Sequence, residues 1–286
     1  VAHPKKMELI SPTKSIGLCL VLSVIYVSSL YVWNSKEKRD HPSTILKRFL
    51  SVFLVMSISP LFLYVSSSQT LLSRVTLLEA MGFRREGLPV AFCVPLILTA
   101  LLFLGPISMQ IYSGVWRLYF RPTYWFSSFC DILWLRNHVV APLSEEFTFR
   151  ACMLPILLQS FTPTVAIFIV PLFFAVAHFH HIIERLRTGM DVRTAVTISC
   201  FQFSYTYIFG VYSAYLFTKT GHFVAPFVAH AFCNHMGFPD LMELSSHPRK
   251  HLLQLLYVIG LISWILLLPI ATTPSMYSNN LYAEYL

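Results

Sequence analysis

Twenty consecutive residues, from Ser15 to Asn34, carry no charge, and the chain repeats that pattern along its length. A run of about 20 apolar residues is what an α-helix needs to cross the roughly 30 Å hydrocarbon core of a bilayer. Lipid offers no hydrogen-bond partner to a peptide group, so such a segment must satisfy its amides internally, as a helix does. The runs that follow are Phe49 to Gln69, Leu88 to Ser113, Asn137 to Gln159, Thr162 to Ile183, Thr194 to Phe217, His222 to Pro239 and Leu252 to Ile270. Gly114 to Arg136 differs: it interleaves Trp116, Tyr124, Trp125, Phe126 and Trp134 with Arg117, Arg121 and Asp131, as a segment lying among headgroups does. Charged residues make up 12% of the chain, against about 25% in a soluble domain, too few to cover a globular surface. The expectation is an all-α polytopic membrane protein: a bundle of about eight transmembrane helices with an interfacial amphipathic segment, one domain over residues 1–286. The first run lacks a small-residue cleavage site and reads as a retained span.

Lysine and arginine outnumber aspartate and glutamate by 21 to 13, an excess that in a soluble protein suggests nucleic acid. Here the basic residues sit in short loops between apolar runs, which argues against a nucleic-acid partner and reports orientation instead. With the loops taken alternately, one side holds seven: Lys5, Lys6, Lys14, Arg74, Arg84, Arg85 and Lys219. The other holds thirteen, among them Lys36, Arg39, Arg48, Arg136, Arg185 and Arg249. The richer side is expected to face the cytosol, with both termini lumenal. No two of the six cysteines form a CxxC pair, so neither a disulfide framework nor a thiolate zinc site is expected. Cys152 and Cys233 stand out only because each adjoins a motif.

A charge at bilayer depth costs at least about 2.5–3.5 kcal/mol on insertion scales, so an ionisable residue inside a span is a functional hypothesis by default. The first three runs hold almost none; three later ones hold clusters. In Ser144 to Arg150, Glu146 and Arg150 stand at i and i+4 and can pair on one helix face. Glu145 points about 100° away and has no local partner. Either the set is a structural ion pair beside a wet crevice, or Glu145 is a general base. In Phe174 to His181, His178 lies deepest, with no satisfying group nearby in sequence, so it is expected to find a partner on another helix. His180 and His181 read as interfacial. In His230 to His235, His230 and Asn234 share a face at i and i+4, either as glue between helices or as a donor pair for an oxyanion. All three clusters fall toward the charge-rich side, which suggests one polar cavity opening to the cytosol.

The chain shows no GxSxG elbow, no GxGD pattern and no HExxH. A zinc site from Glu145, His178 and His230 stays open, and so does proton- or solute-coupled transport, although no inverted repeat is visible. A metal-free hydrolase without a cofactor accounts for all three clusters: Glu145 and His178 activate water, and His230 with Asn234 holds the oxyanion.

Glu145-Glu146-xxx-Arg150, Phe174-xxx-His178 and His230-xxx-Asn234, in that order, resemble the three motifs of the CAAX protease and bacteriocin-processing family. Trp134 to Asn137, Phe149 to Pro155, His178 to Glu184, Phe201 to Thr206 and Met236 to Pro239 resemble its eukaryotic type II CAAX prenyl endopeptidases, the Ras-converting branch. The detailed likeness covers about residues 134–239. It implies an endoplasmic reticulum membrane protease that removes the last three residues of prenylated CAAX proteins such as Ras. It also implies catalysis by Glu145, His178, His230 and Asn234, supported by Glu146, Arg150 and Phe174, with no resident metal. Cys152 merits a control because cysteine was once assigned a role in this family.

Overall fold

The structure, a computed structural model, describes residues 10–33, 35, 37–279 and 281. Lys5, Lys6 and Lys36, used above to orient the chain, lie outside the described residues. All regular structure among them is helical. Besides short helical turns at Gln69–Leu72, Leu77–Ala80, Val115–Phe120 and Pro274–Tyr277, the helices are α1 (Pro12–Ser29), α2 (Pro42–Ser66), α3 (Leu88–Leu102), α4 (Leu104–Ser113) and α5 (Pro122–Cys130). A helical run over 132–158 follows as α6, then α7 (Pro163–Ala177), α8 (His180–Arg187), α9 (Val192–Thr220), α10 (Val224–Met236), α11 (Leu241–Ser246) and α12 (Lys250–Ala271).

Prolines at the first turns of α1, α2, α5 and α7 mark helix starts, where a missing N–H costs nothing. Helix α6 lies at the centre. Every residue from Thr148 to Leu158 is buried, and apart from Thr148 and Arg150 the stretch is apolar on all sides, as suits a helix at the core. Two stretches of α6, Arg136–Val140 and Phe147–Met153, are wound as π-helix. Such wide turns are frequent at functional sites, and these two flank Glu145 and Glu146. Around α6 pack α1, α2, α7, α9 and α10, with α3, α4 and α12 completing the bundle behind α10. Outer faces stay apolar, with Leu54, Leu61, Ile262 and Leu266 all exposed, as befits lipid contact.

Among the described residues, four helical stretches are long and apolar enough to cross a membrane, and α3 with α4 makes a fifth if the bent pair counts as one. All eight expected runs are helical in this multi-pass bundle, and three of them, in α6, α9 and α10, fall outside that count. Helix α6 is helical throughout 132–158 but carries Glu145, Glu146 and Arg150 within its apolar stretch. Helix α9 has 29 residues but is too polar to qualify. Helix α10, expected as a span over His222–Pro239, has only 13 residues, about 20 Å of axial length, less than the hydrocarbon thickness.

The run Leu88–Ser113, expected as one span, bends by 74° between α3 and α4. Pro106 explains the position: its ring has no N–H to give to Leu102, and it clashes with that carbonyl four residues back. Helix α3 stops at Leu102. The corner is filled by α12, whose Gly260 lies so close that a Cβ there would meet Leu101 O at 2.5 Å and Leu104 Cβ at 3.0 Å. Gly17 on α1 has nothing within 4 Å of the same position. Gly260→Val should therefore cost about 1–3 kcal/mol through overpacking, read as a lower unfolding temperature in detergent. Gly17→Ala should be neutral or slightly stabilising.

Candidate active site

Helix α6 presents Glu146 and Arg150 one turn apart, and both side chains are fully buried. Arg150 Nη1 lies 3.2 Å from Glu146 Oε1. One such pair would not offset the desolvation of two ions, and further groups converge on it. Ser213 on α9 donates to Glu146 Oε2 at 2.5 Å. His230 on α10 places Nδ1 2.7 Å from Glu146 Oε1. Arg150 stacks its guanidinium on the Phe174 ring of α7, 4.4 Å from Cζ to centroid, and donates from Nη2 to Gly210 O on α9 at 3.4 Å. A Cβ on Gly210 would sit 2.7 Å from Pro171 Cβ and 3.2 Å from Arg150 Nη2, so only glycine admits this approach of α7, α9 and the guanidinium. Four helices thus meet on one buried carboxylate.

Glu145 faces the other way, as the 100° step expects, and lines a cavity of about 120 Å³ together with His178. His230 Nε2 lies 3.7 Å from Glu145 Oε2. That is too long for a hydrogen bond, but close enough for one oxygen to touch both groups from the side.

His178 does not take its partner from another helix. Its Nδ1 lies 2.7 Å from Phe174 O, one turn back in its own helix. The cause is the end of α7. The His178 amide bonds Ala175 O, three residues back, instead of Phe174 O, and the freed carbonyl is one of the orphans every helix terminus leaves. The ring N–H satisfies it, so Nδ1 carries the proton and Nε2 keeps a lone pair for the cavity. Phe174 packs edge-on against His178, with centroids 4.7 Å apart.

His230 and Asn234 share a face of α10, but each is already engaged. His230 Nδ1 is bonded to Glu146, which leaves Nε2 for Glu145 or a ligand. Asn234 donates from Nδ2 to Asn137 O at 2.8 Å. A primary amide has two N–H groups, so this bond anchors the side chain and leaves the second hydrogen free. Cys152 is fully buried among apolar neighbours, and neither it nor Cys233 lines the cavity.

Among the described residues, the one set of histidine, cysteine and acidic groups whose ligand atoms lie within 4.8 Å of one another is His180, His181 and Glu184. Glu145, His178 and His230, the set weighed above for zinc, do not converge to that degree. Glu184 is held by Arg48 at 2.7 Å and Arg39 at 3.3 Å, and Arg39 Nη1 lies 3.4 Å from His181 Nδ1. Two guanidiniums occupy the approach a cation would need, so the cluster is an ion-pair network.

Ser213, Gly210 and Asn137 were not singled out from sequence. Gly210 and Ala214, four apart on α9, carry the small-residue spacing of a close helix contact, a signal that could have found Gly210 and its neighbour Ser213. Asn137 contributes a backbone carbonyl, which leaves no trace in residue type.

Residues 127–236 match the family model described as type II CAAX prenyl endopeptidase, Rce1-like. The chain is 44% identical to CAAX prenyl protease 2 of Homo sapiens over 93% of its own length and 83% of the relative's. It is 31% identical to the protein of the same name from Caenorhabditis elegans over 88% and 95% of the two chains. For Arabidopsis thaliana the identity is 30%, over 96% and 94%. No solved structure gives a significant match.

Removing one partner from a buried ion pair leaves the other uncompensated. Arg150→Ala should cost about 3–5 kcal/mol of stability. Ser213→Ala, which removes a neutral donor to the same carboxylate, should cost about 1.5–3 kcal/mol. Thermal unfolding of the two purified variants, compared with the unmodified protein, checks the order and the sizes.

Proposed function

Because the chain belongs to the Rce1-like family of type II CAAX prenyl endopeptidases, we propose that it is an intramembrane endopeptidase that removes the C-terminal aaX tripeptide from prenylated CAAX proteins, Ras-type GTPases among them. The observation that carries the reaction is the pairing of Glu145 with His178 in one cavity, backed by His230. His178 accepts a hydrogen bond from water at Nε2, and Glu145 takes the proton as the water oxygen attacks the scissile carbonyl. Glu145 then returns that proton to the departing amine, and the tripeptide leaves with a free amino terminus.

The oxyanion formed in the attack needs donors placed in advance. Asn234 offers its second N–H. His230 offers Nε2–H as the doubly protonated ring, with the Glu146 carboxylate at Nδ1 as counter-charge. Glu146, Arg150 and Phe174 are positioning groups: they fix the imidazole and the wall behind it. We further propose that residues 1–286 act as one protease unit in the endoplasmic reticulum membrane, with the cavity open to the cytosol and both ends of the chain lumenal. Arg39, Arg48 and Arg136 at the cavity wall support that orientation, since cytosolic flanks carry the excess of basic residues.

The test is purified protein in detergent with a prenylated CAAX peptide, following release of the intact tripeptide. Glu145→Gln keeps the shape and removes the base, so its rate should fall by about 10²–10⁴ or more while unfolding is unchanged; Cys152→Ala should remain active. Equal rates for Glu145→Gln and the unmodified enzyme would remove this residue from the mechanism.

His230→Ala and Asn234→Ala should each lower kcat, by the equivalent of about 2.7–4 kcal/mol for an oxyanion donor, with KM little changed. An effect confined to KM would assign them to substrate binding instead.

A further inference from the structure

The catalytic cavity has a second chemical character that peptide hydrolysis does not use. Besides Glu145, the charged residues on its wall are all arginines: Arg39, Arg48 and Arg136. Arg39 and Arg48 also line a larger adjoining cavity of about 770 Å³, whose wall adds Lys38, Lys47, Arg185 and Arg187. Across both, seven basic residues face three acids other than Glu145, namely Glu37, Asp40 and Glu184, so the mouth holds positive charge that its own carboxylates do not balance.

The three arginines are not held alike. Arg136 donates from Nη1 to Asp40 at 2.7 Å and from Nε to Asn137 Oδ1 at 3.0 Å. Arg48 donates from Nη2 to Glu184, and its Nε is buried without a hydrogen-bond partner. Arg39 reaches Glu184 at the longer 3.3 Å and is 43% exposed. Arg48 and Arg136 are only 17% and 15% exposed. Groups that serve only to hold lipid headgroups would sit outside; Arg48 and Arg136 turn inward onto the wall that carries the base, and the more exposed Arg39 lines the same cavity.

Resting on the function proposed above, we infer that Arg39, Arg48 and Arg136 form the subsite for the substrate's C-terminal carboxylate. The dimensions agree. A tripeptide extended beyond the scissile bond spans about 10–11 Å. Arg136 precedes Glu145 by nine residues on α6, about 13 Å along the axis, and the arginine side chain closes the remainder. An arginine fork is also the group whose geometry fits a carboxylate with two parallel hydrogen bonds. The subsite would thereby measure the cut: a carboxylate seated on the guanidiniums puts the third peptide bond from the end beside Glu145.

The same chemistry recognises a lipid phosphate, and the experiment separates the two sources. The probes are one prenylated CAAX peptide with a free C-terminus and the same peptide as its C-terminal amide, each assayed in neutral detergent with and without an anionic phospholipid. The unmodified enzyme should prefer the acid by about 10–100-fold in kcat/KM, the scale of one or two charge-assisted hydrogen bonds, with the difference in KM and unaffected by the lipid. Arg39→Gln, on the most exposed of the three, should reduce that preference several-fold, and Arg39→Lys should restore part of it. Cleavage of acid and amide at equal kcat/KM would overturn the subsite and leave the endopeptidase reading intact. A KM rise of the same factor for both peptides in Arg39→Gln, or a preference that appears only with anionic lipid, would assign the cluster to the membrane surface. Cleavage of neither peptide by the unmodified enzyme would overturn both readings.

Discussion

A fully buried carboxylate in a membrane protein organises the rest of this molecule. Glu146 cannot stay ionised there on the strength of Arg150 alone, because desolvation of the two ions exceeds what one contact at 3.2 Å returns. The chain resolves this by crowding donors onto it: Ser213 from α9 and His230 from α10, with the Phe174 face under the guanidinium. Each demands that its own helix come close, and Gly210 exists at the tightest of those approaches. The packing of four helices and the orientation of one imidazole therefore follow from the same electrostatic requirement.

That requirement also divides labour between adjacent glutamates. Neighbours on a helix differ by about 100° in direction, so Glu146 turns into the bundle while Glu145 turns to the cavity. The first is saturated with hydrogen bonds and serves as an anchor; the second faces His178 and space. His230 bridges them, with one ring nitrogen on the anchor and the other toward the reacting side. A change in the anchor is transmitted to the chemistry through that ring.

The helical membrane architecture and the Glu146–Arg150 pair were legible in the sequence because both rest on local spacing: long uncharged runs and an i,i+4 register. What was not legible depended on contacts without local spacing. Arg39 comes from the loop between α1 and α2, and only the folded chain puts it beside Glu145. Ser213 is an ordinary helix serine until α9 is laid against α6. The break at Phe103 did have a local cause in Pro106, but membrane helices often absorb a proline, and the packing of α12 into the corner settles which outcome occurs here. For His178 the expectation of a distant partner failed because it counted side chains and overlooked the carbonyl that a helix end releases.

That released carbonyl makes the site of a single proton depend on helical pitch. At the end of α7 the backbone tightens from four-residue to three-residue bonding, and the imidazole fills the place left by its own amide. Had the helix run on unchanged, His178 N–H would occupy Phe174 O and the ring would lose its fixed tautomer, with no atom of the side chain altered. Residues from Ala177 to Phe179 thus govern the acid–base character of His178 through winding alone.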